Sequence, residues 1–228
     1  MQEIVTEKLN QARILKRKFK LNETISVLKE CLEIDPSCLI AAAQAGLCLL
    51  LLGRPEEAEP FFKKTFEETQ KTDLSVGAYL AACLTAEGKE NAAENVLADI
   101  QKNFSAAETF MLAAEMLSEK KQHDKAVRLI DSLSVHFAQD PFFSRSVNHY
   151  RMIRVLAHAG LADIAGQLAE TLSENDPDSW EALASRASVA IAEGKYDEAY
   201  SLTVQALQNG GASYPLLAAQ QHWLAMNK

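Results

Sequence analysis

The sequence predicts an all-α fold, a solenoid of tandem helix-turn-helix units, and three observations predict it. Helical runs break in the same way again and again, at "LGRPEEAEPFF" around Gly53, "EGKENAAENVL" around Gly88, "AGLADIAGQLA" around Gly160 and "EGKYDEAYSLTVQALQNGG" around Gly194. A small residue follows five positions after each break, at Thr24, Ala58, Ala93, Ala126, Ala165 and Ala199, with spacings of 34, 35, 33, 39 and 34. Four residues further on stand Leu28, Phe62, Leu97, Ile130, Ala169 and Thr203, then after three more Cys31, Thr65, Ile100, Leu133, Leu172 and Ala206. The second and third sets are one face of a helix, and a period near 34 marks stacked two-helix units.

The elements follow in order as a helix A, a turn and a helix B within residues 5–38, 39–73, 74–106, 107–145, 146–179 and 180–211. A glycine in the turn supplies the backbone angles that a tight helix-helix connection needs, and the small residue in helix B lets the two helices approach closely. Phe19 and Lys121 take the glycine's place in the first and fourth units. Pro60 removes one hydrogen bond inside the second helix B, and Ser105 with Glu108 reads as a capping box at the fourth helix A. The long interval adds about five residues around "VHFAQDPFFSR", whose Phe137, Phe142 and Phe143 are expected to fill a wedge between units four and five. Residues 212–228 read as a helix capping the open end, with Trp223 on its inner side. The whole is expected to be a single right-handed superhelical domain, residues 1–228, of about thirteen helices.

This spacing resembles the tetratricopeptide repeat family. The resemblance rests on Ala45-Gly46 in a helix A, Ala58 in a helix B, the closing Pro36 and Pro177 of "EIDP" and "ENDP", and the unit 180–211 with Trp180, Gly194, Tyr196 and Ala199. It covers residues 5–211. It implies a non-catalytic adaptor or scaffold that holds a peptide or helix of a partner protein along the concave helix-A face, in the assembly of a multiprotein or secretion/pilus-type complex. A dedicated chaperone masking a hydrophobic segment of a client is the alternative. The clamp by which some members grip the acidic C-terminus of heat-shock proteins is not expected here, because unit five offers Arg151 but has Val147 where a paired Lys would stand.

Composition narrows the function further. The chain has 228 residues, 48% apolar and 24% charged, with a net charge of −8, which argues against a nucleic-acid surface. Charge is uneven: residues 1–20 hold six cations (Lys8, Arg13, Lys16, Arg17, Lys18, Lys20) against Glu3 and Glu7, a net of +4 that leaves −12 for the remainder. The basic run "ILKRKFK" complements the negative pole of a first helix better than it suits a lipid surface. The start has no apolar signal core, and the stretch "CLIAAAQAGLCLLLLG" is too short to span a bilayer, so a cytoplasmic protein is expected. Cys31, Cys38, Cys48 and Cys83 form no CxxC pair, and the five histidines show no HExxH spacing. No phosphate loop, nucleophile elbow or dinucleotide fingerprint occurs, so no catalytic residue, cofactor or metal is expected.

The expected partner surface is the helix-A stripe of units two and three. In unit two it comprises Ile40, Ala43, Gln44, Leu47, Leu50 and Leu51, and in unit three Ser75, Ala78, Tyr79, Ala82 and Ala86. Met111 continues it into unit four. Arg13, Lys16 and Arg17 flank it at one end, and Tyr150, Arg151, Arg154 and His158 stand in unit five. The alternative is that unit two is apolar because the N-terminal segment folds over it. With no ligand set to couple metal to folding, chelation is expected to leave the melting temperature unchanged. A large drop on adding a chelator in a thermal melt would overturn that reading.

Overall fold

A computed structural model describes residues 2–100 and 105–227, apart from the side chain of Asn175. In each of the six repeats the first helix is closed by a residue in the left-handed conformation: Phe19, Gly53, Gly88, Lys121, Gly160 and Gly194, with φ of 55°, 71°, 75°, 59°, 79° and 76°. The next residue's N–H reaches back five positions, as in Arg54 to Leu49 O (3.0 Å), Lys89 to Leu84 O (2.9 Å) and Lys195 to Ala190 O (2.8 Å). This is a Schellman closure: it satisfies the last carbonyls of one helix and turns the chain directly into the next. Phe19 and Lys121, which replace the glycine in the sequence, adopt the same backbone as the glycines.

The closures divide the described residues into thirteen α-helices and no strands. They are α1 (Gln2–Arg17) and α2 (Leu21–Ile34), α3 (Leu39–Leu51) and α4 (Pro55–Glu68), and α5 (Leu74–Ala86) and α6 (Glu90–Ile100). There follow α7 (Ala107–Glu119) and α8 (His123–His136), α9 (Ser146–His158) and α10 (Ala162–Asn175), α11 (Trp180–Ala192) and α12 (Tyr196–Gln208), and α13 (Pro215–Met226). The small residues at the start of each helix B are buried in all six, none more than 3% exposed, so each pair of backbones meets where the spacing predicts. Ser105 departs from the expected capping box. It stands ahead of the cap position Ala106, and its hydroxyl accepts from the N–H of Ala107 (3.3 Å).

The chain forms two compact units, residues 1–136 and 137–228, where the sequence predicts one continuous domain. In the first unit α2 packs on α3 and α4 on α5, as a regular stack requires, but α7 and α8 do not simply extend the row. Both pack on α5, and α7 packs also on α3. Gln122 Nε2 donates to the Gly53 carbonyl, Lys125 pairs with Glu56, and Arg128 Nη1 donates to the Ala86 carbonyl (2.9 Å). The α7–α8 hairpin is thereby held at the C-terminal ends of α3 and α5. The reason is legible in those two helices, LIAAAQAGLCLLL and LSVGAYLAACLTA, which carry no charged side chain and must be covered on more than one face. In α5 every residue from Val76 to Ala86 is buried except Tyr79.

The second unit is built around Tyr150 of α9, which is fully buried with its ring edge-on to Trp180 (5.7 Å) and to Tyr214 (5.6 Å). The inserted residues form a short 3-10 turn, Pro141–Ser144, that leads into α9. Asp140 accepts from the Phe142 N–H (2.8 Å), the Phe142 carbonyl accepts from Asn148 Nδ2 (2.8 Å), and Phe142 and Phe143 meet edge to face at 5.2 Å. The insertion therefore opens the second unit, and the boundary between the units falls at Phe137. On α13 the buried residues are Leu217 and Leu224, seven apart on one face. Trp223 lies about 100° round from Leu224, so it is 42% exposed, edge-on to Tyr196 at 5.8 Å, and does not take the inner side that the sequence suggests.

Two turn-and-contact positions make opposite demands. A Cβ on Gly46 would sit 2.9 Å from the Phe62 ring, which is itself stacked on Tyr79 at 5.4 Å and has no room to retreat. Gly46→Ala is expected to destabilise the first unit by about 1–3 kcal/mol in urea unfolding, the cost of overpacking. Phe19 is 87% exposed, so Phe19→Gly loses no packing and relieves the left-handed backbone. Relief of roughly 1–2 kcal/mol, less about 0.4–1 kcal/mol of added unfolded-state entropy, gives a net gain of about 0.5–1 kcal/mol. A Phe19→Gly protein that unfolded at lower urea would contradict this.

Candidate functional site

The first two repeats enclose a groove of about 600 Å³, within the range of ligand-binding clefts at about 300–1,000 Å³. One wall is α1, which presents Leu9, Ala12, Arg13, Lys16 and Arg17 at helical spacing; the other is α3, with Ile40, Gln44 and Leu51. Leu21, Thr24 and Leu28 of α2 complete the lining, and Phe19 stands in the turn between α1 and α2. Two apolar side chains of the lining stand in solvent: Ile40 is 64% exposed and Phe19 is 87% exposed. Holding a large aromatic side chain in solvent on a left-handed backbone opposes stability on two counts, which marks the position as one shaped by something other than folding.

The charges around the groove are of one sign. Among the described residues no acidic side chain lines it. Lys8 and Lys20 of the same repeat are neutralised by Glu30 (2.5 Å) and Glu23 (2.9 Å). The cations that face the groove are held by amides: Lys16 Nζ donates to Gln44 Oε1 (2.6 Å) and Arg13 Nη2 to Asn10 Oδ1 (3.1 Å). Amide oxygens orient these side chains without cancelling their charge, and among the described residues Arg13, Lys16 and Arg17 have no carboxylate partner. The groove can thus bury apolar side chains along its floor and accept carboxylates along its rim.

The residues expected from the sequence divide sharply. Ile40 and Leu51 line this groove together with Arg13, Lys16, Arg17 and Gln44. Leu47 is half-buried and lies outside the lining. Leu50 and Met111 are fully buried, and Tyr79 is half-buried against Phe62, so these belong to the packing of the first unit. Ala78, Ala82 and Ala86, the floor expected for a docked helix in unit three, are also fully buried, because α7 and α8 pack on α5. The cover over the unit-three stripe comes from the fourth repeat, while on α3 Ala41 and Ala45 pack in one cluster with Val5 and Ala12 of α1 and with Val27, Leu28 and Cys31 of α2. Tyr150, Arg151, Arg154 and His158 lie in the second compact unit, where Tyr150 is core, Arg154 is buried and only His158 is fully at the surface. The sequence reading missed Leu9, Leu21 and Phe19. Leu9 sits four and seven residues before Arg13 and Lys16, a spacing that places it on the same face of α1.

Burial pushes the Cys48 and Cys83 thiols up from their ordinary range. Lys89 bridges Glu59 (2.5 Å) and Glu87 (2.8 Å) and is raised by both hydrogen bonds. Among the described residues no cluster of three or more His, Cys, Asp or Glu side chains could hold a metal ion, and no helix is long and apolar enough to cross a membrane.

Residues 8–38, which span the α1–α2 repeat, match the family described as "Tetratricopeptide repeat". No curated protein matches the sequence. Among solved structures, a tetratricopeptide repeat protein from Parabacteroides merdae is similar over 91% of this chain and 80% of its own, with a TM-score of 0.50 and 14% identity. The TPR domain of P58(IPK) is similar over 97% of this chain and 65% of its own (TM-score 0.41, 14% identity). The TPR2AB domain of yeast Sti1, in a complex with pHSP90, is similar over 99% of this chain and 100% of its own (TM-score 0.37, 15% identity). The Parabacteroides structure shares the fold, and the recurring left-handed closure, the buried small residue in every helix B and the match at 8–38 agree with it: the chain has the fold of a tetratricopeptide repeat solenoid, and its first repeat matches that family.

Proposed function

We propose that the protein is a non-catalytic adaptor that holds a segment of another protein in the α1–α3 groove and serves the assembly of a multiprotein complex. Tetratricopeptide repeat proteins mediate protein–protein interaction, and this chain carries one surface suited to it. A single observation supports the choice of surface: the groove combines the exposed apolar side chains of Ile40 and Phe19 with three cations that no carboxylate among the described residues neutralises. Apolar burial supplies affinity in such a site, while the charged rim sets partner and register. The segment that suits it is amphipathic, apolar on one side and acidic on the other.

A fluorescent amphipathic helical peptide with Leu at helical spacing and a Glu-rich opposite face tests this, beside a control in which Lys replaces every Glu. The acidic peptide is expected to bind, and to bind less tightly as salt is raised, while the basic control does not. Ile40→Glu is expected to weaken the acidic peptide at least ~10-fold while stability stays within about 0.5 kcal/mol, since the side chain is already in solvent. Arg17→Glu should flatten the salt dependence. Equal binding of the two peptides, or an Ile40→Glu protein that binds as well as the parent, would refute the assignment.

A further inference from the structure

In the second compact unit, α10 presents to solvent the chemistry that suits the α1–α3 groove of the first. The helix reads ADIAGQLAETLSEN, with Asp163, Glu170 and Glu174 and no cation. Its inner face is fixed by Ala165 and Ala169, both buried where α10 packs on α9 and α11. Outward it turns two stripes. Asp163, Gln167, Glu170 and Glu174 recur at helical spacing and are all exposed. Ile164 and Leu168, about 100° further round, are 49% and 37% exposed. Among the described helices, α10 is the one that holds two large apolar side chains in solvent beside carboxylates and has no cation of its own. None of its three carboxylates enters an ion pair among the described residues. The acidic character continues beside it: a cleft of about 440 Å³ between α10, α11 and α12 sets Glu170, Glu174, Glu193 and Glu198 against Arg186, with Lys195 paired to Glu193 (2.8 Å).

Resting on the reading of the groove as a docking surface for an acidic amphipathic segment, we propose that this segment belongs to a second copy of the chain: α10 of one copy lies across the α1–α3 groove of another. Dimensions agree. α10 has 14 residues, about 21 Å at 1.5 Å per residue, against 16 in α1 and 13 in α3, about 24 and 20 Å. Arg13 and Arg17 stand four residues apart on α1, as Glu170 and Glu174 do on α10, so both pairs repeat at about 6 Å and match when the helices lie side by side. Ile164 and Leu168 then meet Ile40 and Phe19, and four apolar side chains that stand in solvent in the single chain leave water together. The groove of about 600 Å³ takes side chains and not a whole helix, so α10 keeps its packing on α9 and α11.

A chain of net charge −8 repels its copies, but at physiological salt charges more than about 8 Å apart are largely screened, so the pairs in contact outweigh the net charge. Groove and helix are different surfaces in different units, and the contact is therefore heterologous: each copy offers one groove and one α10. A one-helix contact is small for a protein interface, which sets its strength at about the micromolar level.

Sedimentation velocity of the whole protein at rising concentration tests it. The wild type is expected to shift from monomer to larger species, and back toward monomer as salt is raised. Ile40→Glu disables the groove and Ile164→Lys the helix face. Both side chains are already in solvent, so each variant should keep the helical spectrum and melting temperature of the parent while its association weakens at least ~10-fold. Mixed together, the two variants are expected to form an equimolar pair, because one retains an intact α10 and the other an intact groove. Glu170→Lys combined with Glu174→Lys is a second α10 variant and should pair with Ile40→Glu in the same way. A wild type that stays monomeric at every concentration, variants that fail to pair on mixing, or an Ile164→Lys protein that associates like the parent would each sink the inference. If the acidic peptide still binds the groove in that event, the groove reading stands and only the second copy is lost; if the peptide fails as well, both fall.

Discussion

Everything in this protein depends on how each first helix of a repeat is stopped. An α-helix leaves its last carbonyls without partners, and a residue in the left-handed conformation satisfies them while reversing the chain. Here that closure occurs at six positions, and the reach-back bond ends on a leucine in five of the six, at Leu15, Leu49, Leu84, Leu117 and Leu156. The hydrogen bond and the apolar contact are therefore made by the same turn. Once two helices are returned antiparallel, a small residue opposite the turn allows them close contact, and the remaining faces have to find a neighbour.

What those faces find differs along the chain. In the first unit, α2 and α4 meet the next repeat's first helix in the regular way. The first helices α3 and α5 are apolar on the other side as well, and the chain covers them with its own fourth hairpin. The polar bonds of that hairpin go to the turns: Gln122 to the Gly53 carbonyl, Arg128 to the Ala86 carbonyl, Lys125 to Glu56. Lys125–Glu56 is partly exposed and contributes at most about 1 kcal/mol, so burial of Phe110, Met111 and Leu117 stabilises the hairpin more than the ion pair does.

The consequence for function is that the surface left open is smaller than a full concave face and differs in chemistry. The wall formed by α1 alone brings cations, and its partner wall α3 brings Ile40 and the Gln44 amide that holds Lys16 in place. Against a chain of net charge −8, this patch keeps its sign because its cations are steered by amides and not by carboxylates.

The sequence by itself determined the local geometry. The period near 34, the small residue in each second helix and the face through Leu28, Phe62 and Leu97 all appear as read, even where Phe19 and Lys121 stand in for glycine. These features follow from contacts within about ten residues, where backbone sterics and helical periodicity decide. The candidate site was legible only at its basic end and at Ile40, Gln44 and Leu51. Leu50, Met111, Ala82 and Tyr150 have the pattern of an apolar groove, but an apolar stripe reads the same whether a partner or the chain itself covers it. Only the tertiary structure decided between them, through contacts such as Gln122 to Gly53 that span 69 residues and leave no periodic mark in the sequence. The division at Phe137 and the outward turn of Trp223 have the same origin, since both depend on which neighbour a face meets and not on the face itself.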